Sequence, residues 1–592
     1  MFYKLTSKQK RILNCDSSKA VVKACPGSGK TYSVTARLAK FLKENKYKHQ
    51  GIAVISFTNI AAEEIRKGLL ENYDIDKIEY PHFIGTIDSF INKHIFLPFG
   101  HLLMKCNKRP EIVGTEYNPW YEYDTSLTSY FKKRVTKRDP NYYFDKVSFD
   151  SDDKPLPLMP PSSYHFSWKP EKITNQDGSY NKKVQDIIKA KWAHFNQGKA
   201  NQADANYFSL KILNQFPDIL AVLSKKYSHI IVDEAQDTTD IQMKIIDLLL
   251  ANELENLMIV GDPRQAIFEW NTADVELFQA KYDSDEFYSI DLDENRRSSE
   301  NICSLLNKIS RDNFTSIADV KNDDNIPEII GFDTAEISTV QKIKSEFLKK
   351  CAKLGISQEE SAILFRGKNF GERYFQLTEE NPNEHPWKNG HFYVRDIAYG
   401  KYLIDRGKHK EGLKLLEKGY HQLKDPTLKF VSKSFLKSKI EELGFREYRK
   451  VLFGFIDMLP LTINSNLKDW VSQSNENLKE LCYEMEIQSA KGNVKIENLF
   501  HQKNTSNFSF TIGTIHSVKG QTFDAVLLFL IERAGQSKYV NIIKKNKTDL
   551  TKKQKEELRL IYVACSRPKR LLWVAVPTTD VQNWREYFGQ ND

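Results

Sequence analysis

The sequence predicts an α/β protein with two parallel-sheet cores, each interrupted by a long segment of different composition. Short apolar runs alternate with helical patterns, as in Ile52–Phe57 followed by Ala61–Leu70, and such alternation is typical of βαβ units. The alternation resumes after Asp291, which indicates a second core. A chain of 592 residues is also long for a single hydrophobic core.

Each core is predicted from its own series of apolar runs and helical patterns. Those of the first core are Val21–Val22, Tyr32–Leu42, Ile52–Phe57, Ala61–Leu70, Ile230–Val232, Ile241–Leu250 and Leu257–Val260. Those of the second are Asn301–Ile309, Glu328–Phe332, Ile337–Leu348, Ala362–Phe365, Ile512–Ile515, Ala525–Leu530 and Leu571–Val576. The first interruption is rich in Tyr, Trp, Lys and Pro, whereas the second is Lys-rich and mostly helical in pattern. We therefore place core 1 at 1–98 and 219–290, its insertion at 99–218, core 2 at 291–369 and 509–592, and its insertion at 370–508.

Composition limits the class of protein. The net charge of +9, from 87 basic and 78 acidic residues, is compatible with nucleic acid as a partner. The seven cysteines never approach C-x-x-C spacing, so neither a zinc site nor a disulfide framework is indicated. The longest apolar run, Ala525–Ile531, is too short to cross a bilayer, and the N-terminus has no apolar leader pattern. We expect a cytoplasmic protein with no membrane partner.

The segment VVKACPGSGKTYS (21–33) has a phosphate-binding pattern between a predicted strand and a predicted helix. Its two glycines let backbone N–H groups approach phosphate oxygens, and the helix N-terminus adds its dipole. Lys30 can reach the β- and γ-phosphates, and the Thr31 hydroxyl can ligate Mg²⁺. The phosphate-binding residues that this pattern predicts are Ala24, Cys25, Pro26, Gly27, Ser28, Gly29, Lys30 and Thr31. By itself the loop does not separate a kinase, a GTPase and a motor.

The segment HIIVDEAQD (229–237) is a predicted buried strand that ends in acids. Asp233 is placed to hold Mg²⁺, and Glu234 can then orient and deprotonate an attacking water. An acidic turn after a strand is the simpler reading, but the order and distance from the phosphate loop favour the catalytic one.

The segment MIVGDPRQAIFEW (258–270) places Gln265 where it could sense a γ-phosphate. Two aromatic residues, Phe268 and Trp270, follow in an otherwise polar stretch. Each could be an ordinary core anchor. Their position directly after a phosphate sensor favours a base-stacking surface coupled to hydrolysis.

Taken in order, these motifs resemble those of superfamily-one helicases of the UvrD/Rep type. The resemblance covers both cores in the right order. Further segments that carry it are LTSKQKRIL around Gln9, SFTNIAAEEI (56–65, resembling TFTNKAA), GTIDSF (85–90, resembling GT-x-HS), NRRS (295–298, resembling N-Y-R-S), TIHSVKGQTF (514–523, resembling T-x-H-S-x-K-G-x-E-F) and LIYVACSRPK (560–569).

The resemblance implies two RecA-like domains with ATP and Mg²⁺ in the cleft, each domain carrying an inserted, mostly helical subdomain. It implies that Arg297 meets the γ-phosphate, that Arg567 is an arginine finger, and that both act with the catalytic residues Glu234 and Gln265. Gln9 would read adenine, and Arg296 stands at the base-stacking position. The nucleic-acid-binding residues implied by the resemblance are Phe57, Thr58, Asn59, Thr86, Phe268, Trp270, Thr514 and His516.

Six positions depart from the family pattern. Three of them lie on the expected path of the DNA strand: Ile60 replaces a lysine, Asp88 a histidine and Asn271 an arginine. Each replacement removes a positive or hydrogen-bonding group from that path. Three changes at the nucleotide are Tyr32 for arginine, Arg296 for tyrosine and Thr522 for a ribose-binding glutamate. An arginine plane can still stack on adenine.

The run FIGTIDSFINKHIFLPF (83–99) resembles the helicase-like subunit of Gabija anti-phage systems. In that family the partner is an ATPase–nuclease subunit with a TOPRIM centre. The resemblance implies an ATP-driven motor on single-stranded nucleic acid, most readily DNA, that steps 3′→5′ beside a nuclease. A non-processive ATPase that senses nucleotide or DNA and regulates its partner is the alternative. We expect no nuclease site in this chain itself, and we expect the aromatic-rich segment Tyr117–Tyr143 to be the partner surface or a subdomain core.

Overall fold

The computed structural model describes most of the chain. The described residues are 5–44, 49–75, 78, 80–113, 147–157, 180, 182–267, 274–375, 386–388, 393–428, 431, 433–481, 483–488, 492–500, 510–531 and 538–590.

Strands and helices alternate along the chain. The strands are β1 (Lys19–Ala24), β2 (Gly51–Ser56), β3 (Phe83–Thr86), β4 (Glu111–Ile112), β5 (Val147–Phe149), β6 (Pro155–Pro157), β7 (Lys199–Ala200), β8 (Tyr227–Val232), β9 (Asn256–Gly261), β10 (Tyr288–Leu292), β11 (Glu294–Asn295), β12 (Thr315–Ser316), β13 (Glu328–Phe332), β14 (Ser361–Phe365), β15 (Thr511–Thr514), β16 (Phe523–Phe529) and β17 (Pro568–Pro577).

The α-helices vary from single turns to long amphipathic segments. They are α1 (Ser7–Leu13), α2 (Lys30–Glu44), α3 (Asn59–Tyr73), α4 (Ile87–Ile91), α5 (Leu97–Phe99), α6 (His101–Met104), α7 (Lys182–Phe195), α8 (Gln202–Gln215), α9 (Pro217–Lys226), α10 (Asp240–Ala251), α11 (Val275–Tyr282), α12 (Glu300–Ser310), α13 (Ile337–Lys353), α14 (Lys368–Phe375), α15 (Tyr393–Ile404), α16 (His409–Lys424), α17 (Lys433–Leu443), α18 (Phe445–Met458), α19 (Leu467–Asn477), α20 (Ile496–Phe500), α21 (Tyr539–Ile543), α22 (Lys552–Cys565) and α23 (Val581–Phe588).

The first sheet has six parallel strands in the order β10-β1-β9-β8-β2-β3. Its central strands contain buried apolar runs, 20–22, 52–55, 230–232 and 257–260, because both faces of the sheet are covered, as is usual for parallel sheets. Successive side chains point to opposite faces, so Val21 joins one buried cluster and Val22 the other. The register pairs Val22 with Val260, and Val54 with Ile231.

The second sheet has five strands in the order β13-β17-β16-β14-β15. The pairs β13–β17, β17–β16 and β16–β14 run parallel. Its core includes Leu364, Val526, Leu528 and Val574, all fully buried. The predicted α/β class with two parallel-sheet cores is therefore confirmed.

Contacts divide the chain into two compact units. One unit contains both sheets, except for the first two residues of β15, and is drawn from Met1–Glu116, Thr125–Lys368 and Gly513–Asp592. Asn369–Ile512 forms most of the other, which is helical and has its own apolar core around Trp470 and Phe455. Because both sheets belong to one unit, the contacts between them describe a single body.

Two strands of the first sheet, β3 and β10, were not expected from the sequence. They are the edge strands of the sheet. Edge strands are covered less completely, so their residues need not form an apolar run: Tyr288 and Asp291 of β10 are both exposed. No described helix is both long and apolar enough to cross a membrane.

Candidate nucleotide site

The phosphate loop follows β1, at the carboxyl end of the first sheet. Gly27 and Gly29 have φ values of 67° and 78°, in the left-handed region that favours glycine. A Cβ atom on Gly27 would lie 2.6 Å from the Cβ of Arg297, and one on Gly29 would lie 2.6 Å from Gln9 Nε2. Both glycines are therefore required for conformation and for close packing of neighbouring segments.

Lys30 begins α2 and lies among three carboxylates, of which Asp233 and Asp262 are buried and Glu234 is half-buried. Its Nζ is 3.0 Å from Glu234 Oε1. Burial opposes the charge on Lys30, but Glu234, Asp262 and Asp233 raise its pKa above the ordinary value. Burial also opposes the charge on Glu234, yet Lys30 and Lys519 lower the pKa of this carboxyl, while burial and Glu234 together raise that of Asp233. Glu234 is thus the ionised carboxylate of the pair.

The residues at this edge fit a magnesium ion. Asp233 Oδ1 accepts a hydrogen bond from the backbone N–H of Glu234 at 3.0 Å, and its Oδ2 is buried with no hydrogen-bond partner among the described residues. Thr31, on the phosphate loop, adds a half-buried hydroxyl oxygen. Oxygen ligands are the ones that Mg²⁺ prefers, and it is usually held by one or two carboxylates together with substrate phosphates. The described ranges contain no cluster of three His, Cys, Asp or Glu that could hold a metal ion.

Glu234 is held in an uncommon backbone conformation. Its φ of 54° and ψ of 38° are left-handed, which is rare for a residue other than glycine and is often found at functional sites. Gln236 Nε2 donates to Glu234 Oε2 at 2.5 Å, and Gln236 Oε1 accepts from the N–H of Asp262 at 3.0 Å. Gln236 therefore ties the ends of β8 and β9 together and fixes the carboxylate of Glu234.

Gln265 connects the two cores. Its Nε2 donates to Asp262 Oδ2 at 2.6 Å, and its Oε1 accepts from Arg567 Nη2 at 2.9 Å. Arg567 is 1% exposed. Burial, followed by the charge of Arg297, lowers the pKa of Arg567 to about 9, so it remains protonated at neutral pH.

The segment Asn295–Ser298 lies against the phosphate loop. The backbone N–H of Arg296 donates to Gly27 O at 3.0 Å, and Asn295 Oδ1 accepts from the N–H groups of Arg297 and Ser298 at 2.7 and 2.8 Å. Arg297 Nη1 donates to Ser566 O at 3.1 Å, and burial lowers the pKa of its guanidinium. Of the two predicted cleft arginines, Arg297 therefore lies against the phosphate loop and Arg567 contacts Gln265.

Lys519 and Asp237 form a second connection between the cores, which sequence reasoning missed. Lys519 Nζ lies 2.6 Å from Asp237 Oδ2 and donates to Gln265 O at 3.0 Å. Asp237 is 1% exposed, and burial raises its pKa to about 6 although Lys519 opposes the shift. Both residues lie within motif segments, 229–237 and 514–523, and only the fold pairs them.

Gln9, which is expected to read the base, lies against the phosphate loop. It closes a capping box with Thr6 at the start of α1, so its Oε1 accepts from Thr6 N at 3.1 Å. Its Nε2 donates to Ser28 O at 2.9 Å, and Arg296 Nη1 donates to Gln9 Oε1 at 3.4 Å. The structure thus brings together the two residues expected on the base side, while Thr522 is exposed.

Three threonines that are expected to contact the nucleic acid act as helix N-caps. Thr58 accepts a hydrogen bond from Ala61 N, Thr86 from Ser89 N and Thr514 from Ser517 N, at 3.1, 3.1 and 3.4 Å. Thr86 and Thr514 are the last residues of β3 and β15, and Thr58 lies two residues after β2. Capping by itself accounts for a threonine at such a position. Their placement also puts three helix N-termini at the carboxyl edges of the two sheets, and helix N-termini bind phosphate groups.

The same Gly-Thr-Ile-x-Ser turn occurs once in each core, at 85–89 and at 513–517. In both, the last serine donates its hydroxyl to the threonine carbonyl at 2.7 Å, and a Cβ on the glycine would meet the serine Oγ at 2.7 or 2.6 Å. Each turn follows an edge strand, β3 in one sheet and β15 in the other. The two cores therefore present matched turns.

The variable position of this turn differs between the cores. In the second core it is the half-buried His516. In the first it is Asp88, whose Oδ1 accepts from Gln242 Nε2 at 2.9 Å and from Asn206 Nδ2 at 3.2 Å. Asp88 stands where the family has a histidine, and its two hydrogen bonds attach the turn to α8 and α10.

The remaining residues that are predicted to bind nucleic acid lie either directly after β2 or outside the described residues. Phe57 is half-buried and Asn59 is exposed at the start of α3. Ile60, beside them, is 71% exposed. Phe268 and Trp270 lie outside the described residues.

Comparison with known proteins agrees with this geometry. The UvrD/REP helicase N-terminal domain model matches residues 5–285, and the UvrD-like helicase C-terminal domain model matches residues 460–578. Three of the similar proteins are a probable DNA helicase II homolog of Mycoplasma genitalium (25% identical over 96% of this chain and 84% of that protein), the ATP-dependent DNA helicase Rep of Buchnera aphidicola (24%, 72% and 65%) and the Gabija protein GajB of Bacillus cereus (24%, 87% and 87%). The match thus spans slightly less than two thirds of the Rep protein. Because the two family models together match more than half of the chain, the protein belongs to the UvrD/Rep family of ATP-hydrolysing DNA helicases.

Proposed function

We propose that this chain is an ATP-driven translocase on single-stranded DNA that steps 3′→5′ and acts with a nuclease partner in anti-phage defence. The direction follows the habit of the family. The defence role and the partner, an ATPase–nuclease of the TOPRIM type, are supported by the similarity to the Gabija protein GajB of Bacillus cereus.

The observation that carries this proposal is the pair of contacts between the two cores. Arg567 meets Gln265, and Lys519 meets Asp237 and Gln265. Hydrolysis at a site divided between two cores depends on their closure, and closure moves one core relative to the other. The matched turns at 85–89 and 513–517 lie one on each core, so such a movement would shift the two turns relative to each other along a bound DNA strand.

The chemistry follows from the same residues. Lys30 would neutralise phosphate charge, and Asp233 and Thr31 would hold Mg²⁺, which supplies charge stabilisation at the phosphates. Glu234, fixed by Gln236, would orient the attacking water and accept its proton. Arg567 and Arg297 would stabilise the charge that develops on the transferred phosphoryl group.

ATP hydrolysis and strand displacement test this proposal. Wild type should hydrolyse ATP faster with single-stranded DNA and displace a strand from a 3′-tailed duplex but not from a 5′-tailed one. Lys30→Ala should lose nucleotide binding or turnover, and Glu234→Gln should bind ATP but hydrolyse it poorly. Lys43→Ala, at an exposed lysine on the same helix, is the matched control for Lys30. Normal turnover by Glu234→Gln would remove this residue from the mechanism.

The partner is tested by purification from the native host and by a cleavage assay on the chain alone. A TOPRIM-type nuclease should co-purify, and the isolated chain should leave linear and circular DNA intact with Mg²⁺ and ATP. Cleavage that follows this polypeptide through every column fraction would contradict the division of labour. The expected partner surface, 117–143, lies outside the described residues.

A second candidate function is a non-processive ATPase that senses DNA or nucleotide and regulates its partner. Two observations favour it. Ile60 presents an exposed apolar side chain where the family has a lysine, and Asp88 is committed to neighbouring helices. DNA-stimulated ATPase activity without strand displacement would favour this alternative.

A further inference from the structure

A cavity of about 290 Å³ opens between the two cores, apart from the phosphate loop. It lies where the turn Pro263–Gln265 and α11 of the first core meet the end of α12 and helices α21 and α22 of the second. None of the phosphate-loop residues 24–31 lines it. The cavity is therefore separate from the site described above, although it borders the same cleft.

The floor of this cavity is apolar. Val275, Ile309, Ile543, Leu550 and Tyr562 line it and are all buried. Sites for small organic molecules typically combine such a lining with a few polar groups that fix the ligand's orientation. The floor is thus suited to a ring or a short apolar chain.

The rim is cationic. The basic residues that line the cavity are Lys23, Arg264, Arg311, Lys545, Lys555 and Arg559, and Glu276 is the carboxylate among its lining residues. Asp312 neutralises Arg264 through two hydrogen bonds of 3.0 and 2.9 Å. The remaining basic residues still outnumber the acidic ones, and guanidinium groups match the geometry of phosphate oxygens.

We propose that this cavity binds a small organic phosphate whose apolar part contacts the floor and whose phosphate group contacts the rim. The volume lies just below the roughly 300–1,000 Å³ typical of small-molecule sites, which suits a ligand of mononucleotide size and excludes a peptide or a folded partner. The inference does not rest on the proposed function, because binding can be read without hydrolysis.

The position of the cavity connects its occupancy to the nucleotide site. Arg559, on its rim, donates Nε to Ala266 O at 2.8 Å, across the two cores. Ala266 follows Gln265, and α22, which carries Tyr562 and Arg559, leads directly to Arg567. A ligand that contacts both cores beside the Gln265–Arg567 pair changes the free energy of closure, so it should alter ATP turnover.

Calorimetric titration of the full chain with phenyl phosphate tests the site. Saturating ADP and Mg²⁺ are kept in the cell and the syringe so that the phosphate loop is occupied. Phenyl phosphate should bind more tightly than either phenol or inorganic phosphate, because it alone of the three has both a ring to contact the floor and a phosphate group to contact the rim. A parallel titration with thymidine monophosphate identifies the source: tighter binding than phenyl phosphate indicates a nucleotide, and equal binding indicates aryl phosphates in general.

Charge reversal on one helix provides the matched variants. Lys555→Glu, on the rim, should weaken phenyl phosphate binding roughly tenfold, since it removes a charged hydrogen-bond donor and adds repulsion. Lys553→Glu, two residues away on the same helix and not part of the lining, should leave binding unchanged. Arg311→Glu, an exposed rim residue, gives the same test should Lys555→Glu fail to fold. Equal binding by wild type, Lys555→Glu and Arg311→Glu, or no binding once ADP and Mg²⁺ are present, would overturn the proposal.

Discussion

Replacing Lys519 with methionine should destabilise the contact between the two cores in a way that depends on pH. The change leaves Asp237, which is 1% exposed, without the cation 2.6 Å away. Breaking a buried pair by removing one partner costs about 3–5 kcal/mol, mainly because the other charge stays buried. Protonation limits this cost. Burial already raises the pKa of Asp237 to about 6 against the opposing charge of Lys519, so the pKa of this carboxyl rises further in the variant.

The sign of the pH dependence follows from linkage. A carboxyl whose folded pKa lies above its unfolded value binds more protons in the folded state, so stability falls as pH rises toward the folded pKa. In wild type this fall should end near pH 6, whereas in Lys519→Met it should continue above pH 6 by up to about 1.4 kcal/mol per pH unit. The extra loss in the variant should therefore be larger at pH 8 than at pH 6.

Urea unfolding at pH 6, 7 and 8, together with ATP turnover at each pH, measures this effect. Asp237→Asn in the Lys519→Met background removes the buried charge and should abolish the added pH dependence. Lys569→Met is the matched control, because its pair with Asp524 is within the second core and Lys569 is 41% exposed, and exposed pairs contribute about 0–1 kcal/mol. An unfolding free energy for Lys519→Met equal to that of wild type at pH 8 would refute the reasoning.

Three further predictions concern catalysis, the binding of single-stranded DNA and stability in acid. Arg567→Ala should lower kcat by about 10³–10⁵ with little change in ATP affinity, measured by turnover and nucleotide binding; a matching loss of affinity would assign it to ground-state binding instead. Phe57→Ala should weaken single-strand stimulation of the ATPase, since stacking contributes about 1–3 kcal/mol per base, and wild-type DNA binding should weaken steeply with salt through counterion release; undiminished stimulation would place the strand elsewhere. Burial lowers the pKa of His229 to about 4, so its contribution to stability should be complete above pH 6.5 and lost as pH falls toward 4; His229→Phe should melt with less acid sensitivity between pH 7 and 5, and an unchanged sensitivity would contradict this.

Much of the fold was predictable because it depends on local patterns. Apolar runs such as Ile52–Phe57 are buried on both faces of a parallel sheet, so they stand out in any sequence. The short edge strands β3 and β10 do not stand out in the sequence, because edge strands are covered less completely and need not form an apolar run. The boundaries proposed for the four subdomains stay a prediction.

The chemistry of single segments was also determined by the sequence. The phosphate loop between a strand and a helix, and the acids that follow a buried strand, carry their meaning in adjacent residues. Parallel strands then bring their carboxyl ends to one edge, so the loop and the acids had to lie close together. This is why the sequence indicates that Lys30 and Glu234 lie near each other, as they do, while the catalytic roles of Lys30, Glu234 and Gln265 stay predictions.

Only the tertiary structure decided which distant residues meet. Lys519 and Asp237 are 282 positions apart, and Arg567 and Gln265 are 302 apart. Their pairing depends on how one core packs against the other, which no local periodicity specifies. The same holds for Asp88, whose partners lie on two other helices, and for the cavity, whose floor and rim come from both cores. Sequence patterns fix which face of an element is buried, but the partner across that face is set by the packing of the whole chain.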